Sequence, residues 1–307
     1  MILVAGLLTV AGPASAQTPP PEPSVDTVED IVVVARRSGA PVWRVRNGDA
    51  TVILVGSVAS VPVDTPWQPE ALEAAVAQAD AVILSQTARM RWDDYFRFRR
   101  ARARLPAGTT TADYLPTDLQ TRLAALEQTY RRDYATRGLV WIAEDLIGSR
   151  FRYPPGFGPA ADDVVRAAAS RFRKPVDEVG RLDGRHLDDA VSGPGEAQLA
   201  CLTAAITAME AGADGFRALG LAWTRREVPA VLSNPIEQVS DACNWSADQT
   251  LRVEGRAQWS EAVAKALLLD GTTVVVAPIS LVAEPAGLLD QMEDRGLQVS
   301  GPDWKAE

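Results

Sequence analysis

Histidine is almost absent from this chain, and several kinds of active site are excluded with it. The 307 residues contain a single histidine, His186. A zinc, manganese or cobalt centre usually draws on several imidazole, thiolate or carboxylate ligands, so a single histidine limits the metal and acid–base options. The sequence also has no G-x-S-x-G nucleophile motif, no glycine-rich phosphate loop and no dinucleotide fingerprint. Serine-hydrolase and nucleotide-dependent chemistry are therefore not indicated.

Basic residues are fewer than acidic residues, and long apolar runs are also lacking. Lysine and arginine total 31 against 40 acidic residues, which gives a net charge of −9. A general nucleic-acid binder needs a clustered positive field, so the net charge argues against this function class. No apolar run approaches the roughly 20 residues that span a bilayer. The 47% of apolar residues is enough to bury a sizeable core.

The first residues have the pattern of a secretory signal. An apolar stretch from Ile2 to about Val10 is followed by Ala14-Ser15-Ala16 before Gln17. This small-x-small pattern predicts a signal peptide over residues 1–16 and a periplasmic or secreted protein. No lysine or arginine stands near the start, which suggests a start codon further upstream. A buried N-terminal strand is the alternative.

The two cysteines, Cys201 and Cys243, are interpreted in the light of that export. An oxidising compartment favours a disulfide between them, with Cys201 in a helix and Cys243 in a loop. The alternative is a pair of reduced, buried thiols.

Residues 17–40 are predicted to form a proline-rich, acidic, flexible leader. Its end, "EDIVVVARR" (residues 29–37), has the β-branched composition of a strand. Such a segment either adds to a partner's sheet, forms the first edge strand of this chain, or stays disordered. A single globular domain is predicted for residues 41–307.

Strand and helix patterns alternate at both ends of this domain. Residues 42–55 predict a hairpin with an Asn47-Gly48 turn, and residues 51–85 predict a strand, a helix and a second, parallel strand. Residues 257–300 repeat this plan, while residues 91–250 are largely helical. The fold class is therefore α/β, with a central sheet built from two repeated strand-turn-helix-strand units and a large helical middle segment.

The two units align at the turns that follow their first strands. "TVILVGSVA" ends its strand at Gly56 and has Ala59 three positions on, while "TTVVVAPIS" has Ala277 and Ser280. Turns at the carboxyl ends of buried strands are where α/β proteins place their sites. We therefore predict that residues 56–60 and 277–281 lie side by side.

These residues resemble the TraB/GumN family, which includes PrgY-like proteins and the Tiki metalloproteases. The resemblance covers about residues 41–304. It rests on scaffold residues in both units: Pro41, Trp43, Val45, Thr51, Gly56, Gly287, Leu288, Leu289, Gly296 and Val299. The middle segment "DDVVRAAASRFRKPV" (residues 162–176) echoes a family motif, and Ala222-Trp223 matches the start of another.

The metal ligands that the resemblance implies are missing. Ala59 and Ser280 stand where the family has histidines, Ala277 replaces a glycine, and Ser85 and Gly180 stand where glutamates are expected. Ala59 has no donor atom, and serine hydroxyls are poor ligands for zinc, manganese or cobalt. The residues Gly56, Ala59, Ser85, Ala277 and Ser280 therefore outline a relict cleft with no metal and no cofactor.

Two functions remain open. The preferred hypothesis is a non-catalytic binding or scaffold protein of the cell envelope, whose partner is a peptide or an envelope protein. The alternative is a metal-dependent hydrolase or peptidase of the Tiki type, rebuilt around carboxylates such as Asp64 or Glu284 and holding manganese or cobalt weakly.

Other charged groups have simpler explanations. His186 lies among aspartates and is interpreted as part of a polar helix start, not as a general base. The pair Asp162-Asp163 is interpreted as helix capping. One segment, residues 89–104, holds seven arginines among aromatic residues and could contact an acidic partner or an anionic membrane surface. The candidate contact residues are Arg97, Arg99, Arg100, Arg102 and Arg104.

Overall fold

The strands confirm the predicted α/β class. The computed structural model describes residues 27–85, 105–150, 156–179, 195–244 and 249–305. Within them the strands are β1 (Val42–Asn47), β2 (Ala50–Ser57), β3 (Val61–Pro62), β4 (Ala81–Ser85), β5 (Phe157–Gly158), β6 (Val176–Val179), β7 (Gly271–Pro278) and β8 (Gln298–Ser300). Six of them form a mixed sheet in the order β6-β4-β7-β2-β1-β8, and β3 pairs with β5 in a separate ribbon.

The composition of β2 and β7 explains why they lie at the centre of the sheet. Both are runs of β-branched and small residues, and almost every residue in them is buried. Continuous apolar runs of this kind are typical of parallel strands that are covered on both faces. The strands β6, β4, β7 and β2 are indeed parallel to one another, while β1 is antiparallel to β2 and β8 is antiparallel to β1.

The two repeated units interlock in the sheet. The first unit contributes β2 and β4, and the second contributes β7 and β8. β7 lies between β2 and β4, and the β1–β2 hairpin lies between β7 and β8. Neither unit can therefore complete its sheet without the other.

Helices make up most of the remaining described structure. They are α1 (Thr27–Arg37), α2 (Pro69–Gln78), α3 (Thr117–Tyr130), α4 (Leu139–Glu144), α5 (Ala161–Phe172), α6 (Glu196–Arg225), α7 (Val228–Leu232), α8 (Pro235–Asn244), α9 (Gln249–Ala266), α10 (Ile279–Ala283) and α11 (Leu288–Asp294). A 3₁₀ turn covers Thr111–Tyr114, and a π-helical segment, Asp145–Arg150, continues α4. α2 packs against α1 and α5, while α9 contacts β2, β6 and α11.

The strand prediction for residues 29–37 is wrong, because this segment belongs to helix α1. Ile31, Val32 and Ala35 are spaced as one face of a helix, and all three are buried. That face packs against α2. The β-branched composition favoured a strand, but the burial of a helical stripe decided the structure. Residues 27–40 therefore belong to the packed domain instead of a flexible leader, while residues 1–26 lie outside the described structure.

The two cysteines join α6 to α8. Cys201 is fully buried in α6, and its sulfur lies at bonding distance from that of Cys243. The predicted pairing is thus present in the structure. The loop assignment of Cys243 is wrong, because this residue lies in the last turn of α8. Within the described residues, no helix combines the length and the apolar composition that a membrane crossing requires.

Candidate functional site

The two turns lie side by side at the carboxyl edge of the sheet, as predicted. β2 and β7 are parallel neighbours, and their register pairs Gly56 with Ala277 and Ser57 with Pro278. Beyond these residues the segments that follow β2 and β7 differ in conformation. Residues 58–60 form an irregular turn with Ala59 exposed, whereas residue 279 begins helix α10, so Ser280 lies in a helix and not in a turn. We call the edge formed by residues 56–60 and 277–281 the β2/β7 cleft.

An apolar side chain fills one side of the β2/β7 cleft. Ile279 is fully buried and packs directly over the backbone of Gly56. A Cβ atom at Gly56 would lie 3.0 Å from Ile279 Cγ1 and 3.2 Å from Trp43 Cζ3. The glycine is therefore required by close packing at the end of β2.

Replacing Gly56 by alanine should destabilise the fold by about 1–3 kcal/mol, the usual cost of overpacking a filled core. The added methyl group has no space between Ile279 and Trp43. Denaturant unfolding followed by tryptophan fluorescence measures the change.

Gly148→Ala is the matched control for this prediction. Gly148 lies in a helical segment, and no atom lies within 4 Å of a Cβ built there. Alanine at this position should be neutral or stabilise by up to about 1 kcal/mol. Equal unfolding free energies for the two variants would contradict the packing argument.

A carboxylate lies at the opposite side of the β2/β7 cleft. Asp162, in the first turn of α5, accepts a hydrogen bond from Ser57 Oγ at 3.1 Å. The β3–β5 ribbon pairs Val61 with Gly158 and so holds the chain after β2 close to the chain before α5. The β3–β5 ribbon and the Ser57–Asp162 hydrogen bond therefore join the segment after β2 to the start of α5 at two points.

An arginine from α5 contacts the last residue of β4. Arg166 Nη2 donates to the carbonyl oxygen of Ser85 at 2.6 Å, and its Nη1 forms an ion pair with Glu178 at 2.7 Å. Arg166 lies one turn after Asp162, so both side chains belong to the same face of α5. This face supplies a carboxylate to β2 and a guanidinium group to β4.

A buried tryptophan contacts the end of β2 at the β2/β7 cleft. Trp223, in the last part of α6, donates from its indole Nε1 to the carbonyl oxygen of Gly56 at 2.8 Å. Its ring meets Trp67 edge to face, with centroids 5.3 Å apart. This contact fixes the helical middle segment to the end of the central strand.

Comparison with models of protein families gives the family of this chain. The model of the TraB/PrgY/gumN family matches residues 41–301. The chain belongs to the TraB/PrgY/gumN family. No curated protein and no solved structure matches the chain significantly. The matched region contains the whole sheet and begins after α1, so helix α1 is an addition to the region that the family model describes.

The metal that the TraB/GumN resemblance implies does not fit the residues of the β2/β7 cleft. Ala59 offers no donor, and the carbonyl of Ser85 is bonded to Arg166. Glu284, one of the two carboxylates considered for a rebuilt site, forms an ion pair with Arg256 at 2.6 Å. Among the described residues, no three histidine, cysteine, aspartate or glutamate side chains cluster as metal ligands.

The remaining predicted residues are placed as follows. Ser280 is buried in α10, and Asp64 is exposed beyond β3. Asp163 caps α5, because the N–H of Ala160 donates to its carboxylate at 3.3 Å. His186, Gly180 and the arginine-rich segment lie outside the described residues, so the contacts predicted for Arg97, Arg99, Arg100, Arg102 and Arg104 stay predictions.

Sequence reasoning missed the roles of Asp162, Arg166 and Trp223. Asp162 was interpreted as a capping residue like Asp163, but only Asp163 caps the helix. The i, i+4 spacing of Asp162 and Arg166 was a usable signal, because it places both charges on one helix face. Trp223 was seen only as a family match, and nothing near it in the sequence indicates its contact with Gly56.

Proposed function

We propose that this TraB/PrgY/gumN family member is an exported cell-envelope protein that binds a peptide or protein partner at the β2/β7 cleft and performs no metal-dependent hydrolysis. The observation that carries the proposal is the chemistry of the two adjacent turns. Gly56 and Ala277 are register partners, yet the residues around them supply an apolar side chain, a hydroxyl group and one carboxylate.

Donor chemistry favours binding over metal-dependent hydrolysis. A catalytic transition-metal site commonly takes three protein ligands and leaves one position open for water. Asp162 is the carboxylate that a described contact places at the end of β2. It forms no ion pair with any described residue, so one oxygen remains able to accept a donor from a ligand. Peptide N–H groups and amines are donors of this kind.

Two features support export. The N-terminal residues have the signal-peptide pattern, and Cys201 and Cys243 lie at bonding distance. Disulfides persist mainly in oxidising compartments such as the periplasm. Protein recovered from that compartment is expected to begin at Gln17 and to have no thiol that reacts with an alkylating agent.

Purified protein should contain no stoichiometric transition metal and should hydrolyse peptides no faster when manganese or cobalt is added. Elemental analysis and a peptide-hydrolysis assay measure the two quantities. A variant with Ala59→His and Ser280→His is the comparison for metal uptake, because it places an imidazole at each of the two positions where the TraB/GumN resemblance implies a histidine. Tight metal binding by the unmodified protein, with activity abolished by Asp64→Ala or Glu284→Ala, would establish the hydrolase instead.

Partner binding is tested with a photo-crosslinking residue at Ala59, which is exposed at the β2/β7 cleft. The control position is Leu268, which is 78% exposed and precedes β7 at the opposite edge of the sheet. The proposal expects a discrete crosslinked product in the envelope fraction from position 59 and none from position 268. Asp162→Asn should weaken that product. Identical products from both positions, or none from either, would count against binding at this cleft.

A further inference from the structure

One lateral edge of the central sheet is formed by β6, a short strand with an exposed outer side. In the described part of the chain, β6 pairs with β4 alone and stands first in the sheet order. Residues 175–178 are exposed to solvent, and they include Val176, an apolar side chain that is 39% exposed. A strand edge of this kind is a template for pairing with another strand.

The register determines which backbone groups of β6 point away from β4. Val176 is the register partner of Val82, and the N–H of Val82 donates to the carbonyl oxygen of Pro175 at 2.9 Å. The residues that bond to a neighbouring strand alternate along the chain, so Pro175 and Asp177 face β4. The N–H and C=O groups of Val176 therefore face outward, and so does the N–H of Glu178.

The side chains around Val176 are complementary to themselves. Lys174 lies two residues before it and Glu178 two residues after it, so the three belong to one face of the strand. In an antiparallel pair centred on Val176, each Lys174 lies opposite the Glu178 of the other copy, and the two Val176 side chains meet. Opposite charges and β-branched residues stabilise such cross-strand pairs. Sliding one strand by two residues would place Glu178 opposite Val176 and lose both matches.

Both charges are able to take a further partner on this face. Glu178 binds Arg166 through Oε1 at 2.7 Å, and the described contacts of its carboxylate involve this oxygen only. The Lys174 ammonium group forms no ion pair with any residue that the structure describes. The helix on this side of the sheet, α5, contacts β4, β7 and β2, so it lies over the inner strands.

From these observations we infer that residues 174–178, the β6 edge, are a dimerisation surface whose partner is the β6 edge of a second copy of this chain. The two strands are antiparallel, and a two-fold axis passes beside Val176, so the contact is isologous. The Val176 amides of the two copies exchange hydrogen bonds. The central sheet then continues across both copies, and their β2/β7 clefts open in opposite directions. The inference does not depend on the proposed function, because it involves neither cleft.

Analytical ultracentrifugation of the purified protein tests this surface. The contact is short, so a weak dimer is expected, and its fraction should rise between about 1 and 100 μM protein. Lys174→Glu places like charges opposite each other and should weaken the dimer about tenfold or more. Arg173→Glu makes the same change of net charge at the adjacent exposed position and should have a much smaller effect.

Val176→Pro tests the backbone pairing. Proline removes an N–H that faces outward, so the ladder with β4 is retained, as is usual for proline on edge strands. This variant should be monomeric over the whole concentration range, with an unchanged circular dichroism spectrum. The inference fails if the variant dimerises as the wild type does. It also fails if the wild type is monomeric throughout, which would mean that the charges of β6 only protect the edge from other strands.

A cysteine at position 176 provides a second test, which holds even if Val176→Pro does not fold. Residues that exchange hydrogen bonds across an antiparallel pair have Cα atoms about 5.5 Å apart, within the span of a disulfide. The two native cysteines are bonded to each other, so the introduced thiol is the one available. Mild oxidation should link Val176→Cys into a dimer and leave Phe172→Cys, which is also 39% exposed in the wild type, monomeric. Equal crosslinking of the two variants would overturn the inference.

Discussion

Replacing Trp223 by alanine should lower the free energy of unfolding by about 3–5 kcal/mol, the usual cost of deleting a large buried aromatic side chain. Trp223 is fully buried, and its indole donates to Gly56 at the end of β2. Alanine leaves a cavity beside Trp67 and removes the hydrogen bond to a buried carbonyl group. Urea denaturation followed by circular dichroism measures the loss, with the denaturant slope checked for two-state unfolding.

Trp223→Phe separates the hydrogen bond from the packing. Phenylalanine keeps an aromatic ring but cannot donate, so it should cost about 1–3 kcal/mol, the penalty of a buried acceptor left without a partner. Trp304→Ala is a control on a half-buried tryptophan near the chain end, whose indole donates to Asp290 at 3.0 Å. A Trp223→Ala variant no less stable than Trp304→Ala would refute the role of Trp223 as the link between α6 and the sheet.

Removing the disulfide with the double variant Cys201→Ala and Cys243→Ala should cost about 4 kcal/mol, the chain-entropy value for a loop of this length. The two residues are 42 positions apart in sequence and connect α6 to α8. The bond restricts the unfolded chain, and Cys201 is also fully buried, so alanine leaves a small cavity in addition. Thermal and denaturant unfolding of oxidised protein provide the comparison.

Reduction of the wild-type protein is the control that isolates the covalent bond. Dithiothreitol should lower the stability of the wild type by most of the same amount and should leave the double variant unchanged. Reaction of both thiols with an alkylating agent in native, exported protein would contradict the disulfide. Equal stabilities of oxidised and reduced wild type would contradict its energetic role.

The predictability of this fold varied with the range of the interactions involved. β2 and β7 were predictable because a continuous run of β-branched residues marks a strand covered on both faces. Their adjacency followed from the repeated layout, since parallel strands end at the same edge. The segment containing Ile31, Val32 and Ala35 was predicted wrongly, because its composition and its spacing favour different structures. The contact with α2 decided between them.

The candidate site was predictable in outline only. The positions of Gly56 and Ala277 were correct, and Glu284 was considered as a ligand because it follows the second turn. The structure shows this carboxylate paired with Arg256. Sequence distance from a turn does not fix the direction of a side chain, so a carboxylate near a site in the sequence can be engaged in an ion pair with a distant helix.

The sequence by itself determined the α/β class, the two repeated units and their family. These features depend on residue type and on spacings of a few positions, which local patterns record. Only the tertiary structure decided which groups surround the end of β2. The bond between Ser57 and Asp162 joins residues 105 positions apart, and the bond between Gly56 and Trp223 joins residues 167 positions apart. Such contacts arise when separate helices pack against the same strand end, and no short pattern in the chain encodes that packing.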